Sequence, residues 1–161
     1  SRLIQLVLPE MRKNSYGKIV NISSIGGKVG LPLGSWYHAS KFAIEGLSDC
    51  LRNEVKQFGI DVIVIEPGGT KSEMIKNGTD DLMRVSGKTV YKDLAKAVIK
   101  SYTAQKEKAI EAVEIAKLIT KSIESKSPKA RYAASNAKPF LFIRKLLSDK
   151  LFDKLIMSQM K

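Results

Sequence analysis

Two short runs of β-branched residues, separated by one long helical pattern, constrain the fold of this chain more than any other feature. Residues 17–24 and 60–65 have the length and composition of buried strands, and the second run is almost continuously apolar. Between them a helical pattern covers about residues 36–58 and ends at Gly59. Strand, helix and strand in this order form a right-handed unit with parallel strands. The sequence therefore predicts an α/β fold built on a parallel sheet.

The same pattern predicts how these elements pack. Apolar residues at helical spacing are expected to turn one face of the helix towards the sheet. They are Phe42, Ala43, Leu47, Leu51 and Val55. Strand 17–24 is expected in the middle of the sheet. The carboxyl ends of parallel strands lie at the same end of the sheet, which we call the rim. Ser24 and the segment Pro67-Gly68-Gly69 should therefore both lie on this rim.

The remaining segments fit one domain that covers residues 1–161. Residues 2–13 resemble the end of a helix that is already under way, and 131–135 form a short last strand. Residues 73–108 have a polar helical pattern interrupted by Gly78 and Gly87, which indicates a lid over a substrate site. The basic segment 137–161 predicts one or two amphipathic helices with a break near residues 148–149.

Composition narrows the classes of protein to consider. The chain has 161 residues, of which 43% are apolar and 27% charged, as in globular domains. One cysteine and one histidine allow neither an internal disulfide nor a metal site with the usual ligand spacing. No apolar run reaches the ~18 residues that a membrane helix needs. A soluble, cytoplasmic protein without a bound metal is expected.

The positive charge is concentrated in the second half of the chain. Residues 81–161 contain 18 Lys and Arg against 8 Asp and Glu. These lysines alternate with apolar residues at helical spacing, and no nucleic-acid-binding motif accompanies them, so a nucleic-acid partner is not expected. A solvated helix face is the favoured interpretation, and a membrane or lipophilic-ligand surface is the lesser alternative.

Tyr37 and Lys41 are the first candidates for chemistry. They stand four residues apart at the start of the long helix, so their side chains share one face. A phenol ionises near pH ~10, and a neighbouring ammonium favours the phenolate. A serine hydroxyl at the end of the adjacent strand could then hold a substrate oxygen against the phenol for acid/base catalysis. By itself, however, a Tyr four residues before a Lys is usually an ordinary surface pair.

Three segments in the right order make this pair more specific. Tyr37-His38-Ala39-Ser40-Lys41 matches the Tyr-x-x-x-Lys signature of the short-chain dehydrogenase/reductase family, which the chain resembles. Residues 21–24, Asn-Ile-Ser-Ser, resemble the family's strand-end segment, and Ser24 precedes Tyr37 by 13 positions. Residues 67–72, Pro-Gly-Gly-Thr-Lys-Ser, resemble its Pro-Gly turn. The resemblance implies a Rossmann-like doubly wound parallel sheet, of which this chain is the C-terminal half only.

The resemblance also implies roles for the site residues. Tyr37 would exchange a proton with the substrate oxygen, and Ser24 would orient that oxygen. Lys41 would favour the ionised phenol and hold the nicotinamide ribose. Ser23 is the alternative serine, although strand alternation directs it away from the site if Ser24 faces inwards. His38 lies on a different helix face from Tyr37, so we expect a structural role or a place at the rim of the site, and little effect when it is replaced.

The cofactor implied by the resemblance is NAD or NADP. Its contacts would be Tyr37, Lys41, Pro67, Gly68, Gly69, Thr70 and Ser72. Ser72 replaces the commoner threonine, and Thr70 stands where the family more often has an apolar residue. The glycine-rich dinucleotide turn of the family does not occur in the chain. The family's catalytic asparagine is likewise expected before Ser1.

The implied activity is hydride transfer between a nicotinamide cofactor and a secondary alcohol, ketone or aldehyde. The polar segment 73–108 and the apolar tail are compatible with a lipophilic small-molecule substrate, and the tail is equally explained as core or as a subunit interface. The parent protein is expected to form a homo-oligomer. The alternative function is a catalytically silent fragment or interaction module that retains the second half of the fold.

Overall fold

A parallel sheet forms the centre of the computed structural model, which describes residues 2–160. Its strands are β1 (Gly17–Ile22), β2 (Ile60–Glu66) and β3 (Arg131–Ala133), in the order β1-β2-β3. Gly17 pairs with Ile60, and Val64 pairs with Arg131. The predicted parallel α/β architecture is therefore confirmed.

Seven α-helices accompany these strands in the described part of the chain. They are α1 (Arg2–Lys13), α2 (Ser35–Val55), α3 (Glu73–Ser86), α4 (Lys92–Lys106), α5 (Ala112–Glu124), α6 (Lys138–Leu146) and α7 (Asp149–Ser158). Short 3-10 turns follow β1 at Ile25–Gly27 and α2 at Lys56–Phe58. No helix within residues 2–160 combines the length and apolar character needed to cross a membrane.

Strand β2 is the most deeply buried element, because helices cover both faces of the sheet. On one face, Ile19 and Val62 pack with Leu51 and Val55 of α2, and α1 lies against this cluster. The opposite face is covered by α5 and by the segment that follows β3. Its buried members are Ile63, Ile65, Ile115, Ala134 and Ala137. The continuous apolar sequence of β2 follows from this burial on both faces.

The middle position predicted for the first strand is wrong for the described sheet. Within residues 2–160, β1 pairs only with β2, and β2 occupies the centre between β1 and β3. The β-branched composition that suggested a central strand predicts a strand but does not fix its place in the sheet.

The predicted apolar face of α2 is only partly correct. Leu51 and Val55 are buried, but Phe42, Ala43 and Leu47 are exposed. The inward face between the start and the middle of the helix instead carries three polar side chains. They are His38, Glu45 and Ser48. Each of them is paired with a partner on another segment, which offsets the cost of burying a polar group.

The segments after β2 contain the predicted helices with one difference in detail. Gly87 ends α3 as expected, but Gly78 lies inside α3 and does not interrupt it. Two C-terminal helices, α6 and α7, are separated at the predicted position. Helix α7 buries Phe152 and Ile156 against Val29, so this tail packs on the loop that follows β1.

Candidate active site

The carboxyl ends of β1 and β2 place the serine segment, residues 21–24, beside the Pro67 bend. The backbone N–H of Ser23 donates to the carbonyl of Ile65 at 2.8 Å, and that of Ile25 donates to the carbonyl of Pro67 at 2.9 Å. These two bonds continue the strand pairing into the loops. Ser24 and the Pro67 bend consequently lie on one rim, as the sequence predicts.

Adjacent serines at the end of β1 have different surroundings. Ser23 is 2% exposed, and its Oγ has no hydrogen-bond partner among the described residues. A Cβ at Gly27 would lie 2.6 Å from that oxygen, so residue 27 must be small. Ser24 is half-buried, and its Oγ accepts from the backbone N–H of Gly26 at 3.1 Å. Ser24 is therefore the serine with access to the rim.

Helix α2 begins beside this rim and places Tyr37 and Lys41 on it. Tyr37 is 38% exposed, and the Lys41 Nζ lies 5.9 Å from the centroid of its ring. Lys41 also donates to the carbonyl of Ile22 at 3.0 Å, which ties α2 to the end of β1. Partial burial lowers the pKa of Lys41 below its ordinary value.

Gly26 is close to both Ser24 and Tyr37. Its N–H is bound to Ser24, and a Cβ at this position would lie 2.9 Å from the Tyr37 Cε1 atom. A larger residue at 26 would therefore displace the phenol ring. The structure thus brings Ser24, Tyr37 and Lys41 to the same end of β1.

The bend after β2 forms the second side of the site. Gly68 is closely packed, because a Cβ there would lie 2.6 Å from the Asn136 Oδ1 atom. At Gly69, the nearest atoms to such a Cβ are 3.8 Å away. The Thr70 hydroxyl donates to the carbonyl of Gly68 at 3.3 Å, and Ser72 is exposed at the start of α3.

Three further residues lie at or near the site, and of these the sequence indicates only His38. His38 bonds to the loop 26–31, Asn136 bonds to Gly69, and Tyr102 of α4 lies near Tyr37. Burial, and then the charge of Tyr37, raise the pKa of Tyr102. Asn136 and Tyr102 are distant from the motifs in sequence, so no local pattern signals their contacts.

Metal chemistry has no ligand set in the part of the chain that the structure describes. Within residues 2–160, no three His, Cys, Asp or Glu side chains are grouped as a metal ion would require. The donor groups at the rim are hydroxyls, an ammonium and backbone amides. Such groups suit an organic cofactor and a neutral substrate oxygen.

Comparison with known proteins identifies the same segments. Residues 1–82 match the family model described as short chain dehydrogenase. A short-chain type dehydrogenase/reductase of Helicobacter pylori is 38% identical over 130 residues, which are 81% of this chain and 47% of that protein. A 3-ketodihydrosphingosine reductase of Bacteroides thetaiotaomicron is 53% identical over 66 residues, 41% of this chain and 24% of that protein.

Solved structures show the same fold. A short-chain dehydrogenase of Streptomyces avermitilis superposes with a TM-score of 0.70 and 28% identity. The match covers 96% of this chain and 54% of that protein. In general the chain spans about half or less of the length of the curated relatives it matches.

Proposed function

The chain belongs to the short-chain dehydrogenase family, and from this premise we propose that it is the catalytic half of a nicotinamide-dependent oxidoreductase. The proposed reaction interconverts a secondary alcohol and a ketone or aldehyde. A preceding half of the parent protein would bind most of the dinucleotide. The chain by itself is then expected to bind cofactor weakly.

The observation that carries the proposal is the shared location of a hydroxyl, a phenol and an ammonium. Ser24 and Tyr37 border Gly26, and Lys41 lies against the Tyr37 ring and the end of β1. An ordinary surface Tyr and Lys pair would not be expected beside a strand end and a serine hydroxyl. This grouping supports proton transfer at one substrate oxygen.

Each of these side chains has one part in the proposed chemistry. The Tyr37 hydroxyl donates its proton to the carbonyl oxygen during reduction and recovers one during oxidation. The Lys41 ammonium stabilises the phenolate that is left behind. The Ser24 hydroxyl holds the substrate oxygen beside Tyr37. A nicotinamide dinucleotide, when bound, supplies or accepts the hydride.

The residues at the rim fit the nicotinamide end of such a cofactor. Within residues 2–160, Lys41 makes one hydrogen bond, to Ile22. An ammonium has three donors, so donors remain for a ribose hydroxyl. The bend lets backbone approach a flat ring, because Gly69 has no side chain. We therefore propose that NAD or NADP is held by a set of seven residues. They are Tyr37, Lys41, Pro67, Gly68, Gly69, Thr70 and Ser72.

We propose a lipophilic ketone or alcohol as the substrate, held at Ser24 and Tyr37. The segment after the bend supports this choice, because α3 exposes Met74, Met83 and Val85. The relative named 3-ketodihydrosphingosine reductase, similar over 66 residues, is consistent with a ketone on a long-chain molecule. In this proposal, α3 and α4 form a lid over the substrate.

The proposal is tested on the full-length protein with a panel of lipophilic and polar ketones. Each ketone is mixed with NADH or NADPH, and loss of the reduced dinucleotide is followed by its absorbance. Ketone-dependent oxidation is expected with at least one cofactor. If the full-length protein binds neither dinucleotide, the chain belongs to a silent member of the family and the proposal is wrong.

A further inference from the structure

The chain leaves the bend, forms α3 and α4, and then returns to lie beside the bend. We call the paired residues the stem: residues 69–71 are its outgoing strand, and residues 108–111 are its returning strand. Thr70 and Ile110 form a parallel bridge. The Lys71 N–H donates to the Ile110 carbonyl at 2.9 Å, and the Ile110 N–H donates to the Gly69 carbonyl at 3.0 Å. An ion pair between Lys71 and Glu111 closes the stem on the solvent side.

Asn136 lies at the base of this stem, just after β3. Its Nδ2 donates to the Gly69 carbonyl at 2.7 Å, on the outgoing strand of the stem. The same nitrogen lies 3.4 Å from the Lys108 carbonyl, on the returning strand. One side-chain amide thereby contacts both strands of the stem from a third segment of the chain.

The orientation of this amide is determined by its surroundings. Turning it over would place Oδ1 against the Gly69 carbonyl, so that two acceptors would face each other. In the observed orientation Oδ1 is buried beside Gly68, without a hydrogen-bond partner among the described residues. Leaving one buried acceptor unpaired is unfavourable, and the two donor contacts help to offset this cost.

We infer that Asn136 is a positioning residue that fastens the stem of the α3–α4 segment to the Pro67-Gly68-Gly69 bend. The inference rests on the proposed function, because the bend is the proposed nicotinamide site. Asn136 holds the Gly69 backbone in place and does not itself touch the substrate. Loss of its N–H donors should let the bend and the stem move apart.

Two variants and a control separate hydrogen bonding from packing. Asn136→Asp keeps the size of the side chain but removes both N–H donors, and Asn136→Ala removes the side chain. Ser135→Ala changes the exposed neighbouring residue and serves as the control. Amide hydrogen exchange is measured on the full-length protein without dinucleotide.

We expect faster exchange at the Lys71 and Ile110 amides in both Asn136 variants, with unchanged exchange in β2 and in the control. Local opening of this kind is distinguishable from global unfolding, which would accelerate β2 as well. Equal exchange in wild type and both variants, or acceleration that includes β2, would overturn the inference.

Binding of the reduced dinucleotide is then measured by its fluorescence. We expect the Kd to rise about ten-fold in both Asn136 variants, equivalent to about 1.4 kcal/mol, and to stay constant in the control. A loosened stem with unchanged Kd would contradict the positioning role. If wild type binds no dinucleotide, the proposed function fails, whereas the exchange result still decides whether Asn136 fastens the stem.

Discussion

The imidazole of His38 ties the loop after β1 to the start of α2. Its Nδ1 donates to the Gly26 carbonyl at 2.9 Å, and its Nε2 accepts from the Leu31 N–H at 3.1 Å. Both bonds require the neutral ring with its proton on Nδ1. The same loop holds Leu33 at a φ of 62°, a left-handed conformation that costs about 1–2 kcal/mol for a residue with a side chain.

Replacing His38 should therefore lower activity more than the small effect that the sequence alone predicts. In His38→Ala both bonds are lost, Gly26 is freed beside Tyr37, and kcat/KM should fall about ten-fold. His38→Asn can still donate to Gly26, and His38→Gln can still accept from Leu31. We expect each amide variant to recover part of the loss in steady-state assays. Wild-type kcat/KM in His38→Ala would show that the loop does not depend on this residue.

Lys41 is expected to affect both binding and rate. Lys41→Met removes the ammonium, so kcat should fall about a hundred-fold and the dinucleotide Kd should rise. Lys56→Met, at an exposed lysine just after α2, is the control. A Lys41 variant that loses no more activity than the control would contradict the assigned role.

The lowered pKa of Lys41 also has a consequence for pH dependence. Because the ammonium is the active form, activity should decline as the pH rises through that lowered pKa. The decline should therefore begin below the ordinary lysine value of 10.5. A kcat profile against pH measures it, and an alkaline limb at or above that value would contradict the prediction.

Residue-scale prediction from sequence succeeds where the information is local. Ser24, Tyr37 and Lys41 lie within one strand–loop–helix segment, so their spacing predicts that they meet. Asn136 reaches Gly69 across 67 positions, and a single sequence contains no signal for that contact. The catalytic and cofactor roles stay predictions until variants are measured.

At the scale of elements, an ion cluster joins α2, β2, β3 and the turn after β1. Glu45 of α2 pairs with Lys28 at 2.8 Å and with Arg131 at 3.0 Å. Glu66, at the end of β2, lies 3.5 Å from Arg131 and 4.0 Å from Lys28. Both carboxylates are almost fully buried. Burial, and then the charge of Glu45, raise the pKa of Glu66.

The two carboxylates should respond differently to neutralisation. Glu45→Gln leaves Lys28 and Arg131 without their closest buried partner, so the free energy of unfolding should fall by about 3 kcal/mol. Glu66→Gln removes an unfavourable buried charge, while Glu45 still pairs with Lys28 and Arg131, and Asp49 of α2 still pairs with Arg131 at 2.6 Å. Stability at neutral pH should therefore rise by about 1 kcal/mol. Denaturant unfolding of both variants measures the contrast, and equal losses would contradict it.

The Glu66 effect should also depend on pH in a fixed direction. Since folding raises the pKa of Glu66, the folded state binds its proton more tightly than the unfolded state. The stability penalty of Glu66 therefore grows as the pH rises from its ordinary value of 4.5 through the raised value. The advantage of Glu66→Gln should grow over the same range. An advantage that shrinks with rising pH would be inconsistent with this assignment.

Element-scale prediction from sequence is correct for strand and helix identity and weaker for packing. The apolar run of β2 predicts its burial, and residues 131–135 contain β3 as expected. The predicted inward face of α2 is wrong in the middle of the helix, because Glu45 and Ser48 are buried there through specific partners. An apolar sequence pattern cannot predict such pairs, because the partners are Asn21, Lys28 and Arg131 of other segments.

At the scale of the whole molecule, the chain spans about half the length of the proteins that it resembles. It spans 47% of one curated relative and 54% of one solved structure, and its sheet begins at β1. The family resemblance predicts this from three short motifs. In our proposal, the preceding half adds strands beside β1 and supplies the glycine-rich turn that binds the rest of the dinucleotide.

The most direct measurement is turnover by Tyr37→Phe in the full-length protein, since this change removes one oxygen from the proposed site. We expect kcat to fall about 10²–10⁴-fold, with dinucleotide Kd and thermal stability nearly unchanged. Tyr16→Phe, at an exposed tyrosine before β1, should keep wild-type kcat. Near-normal kcat in Tyr37→Phe would contradict proton transfer by this phenol.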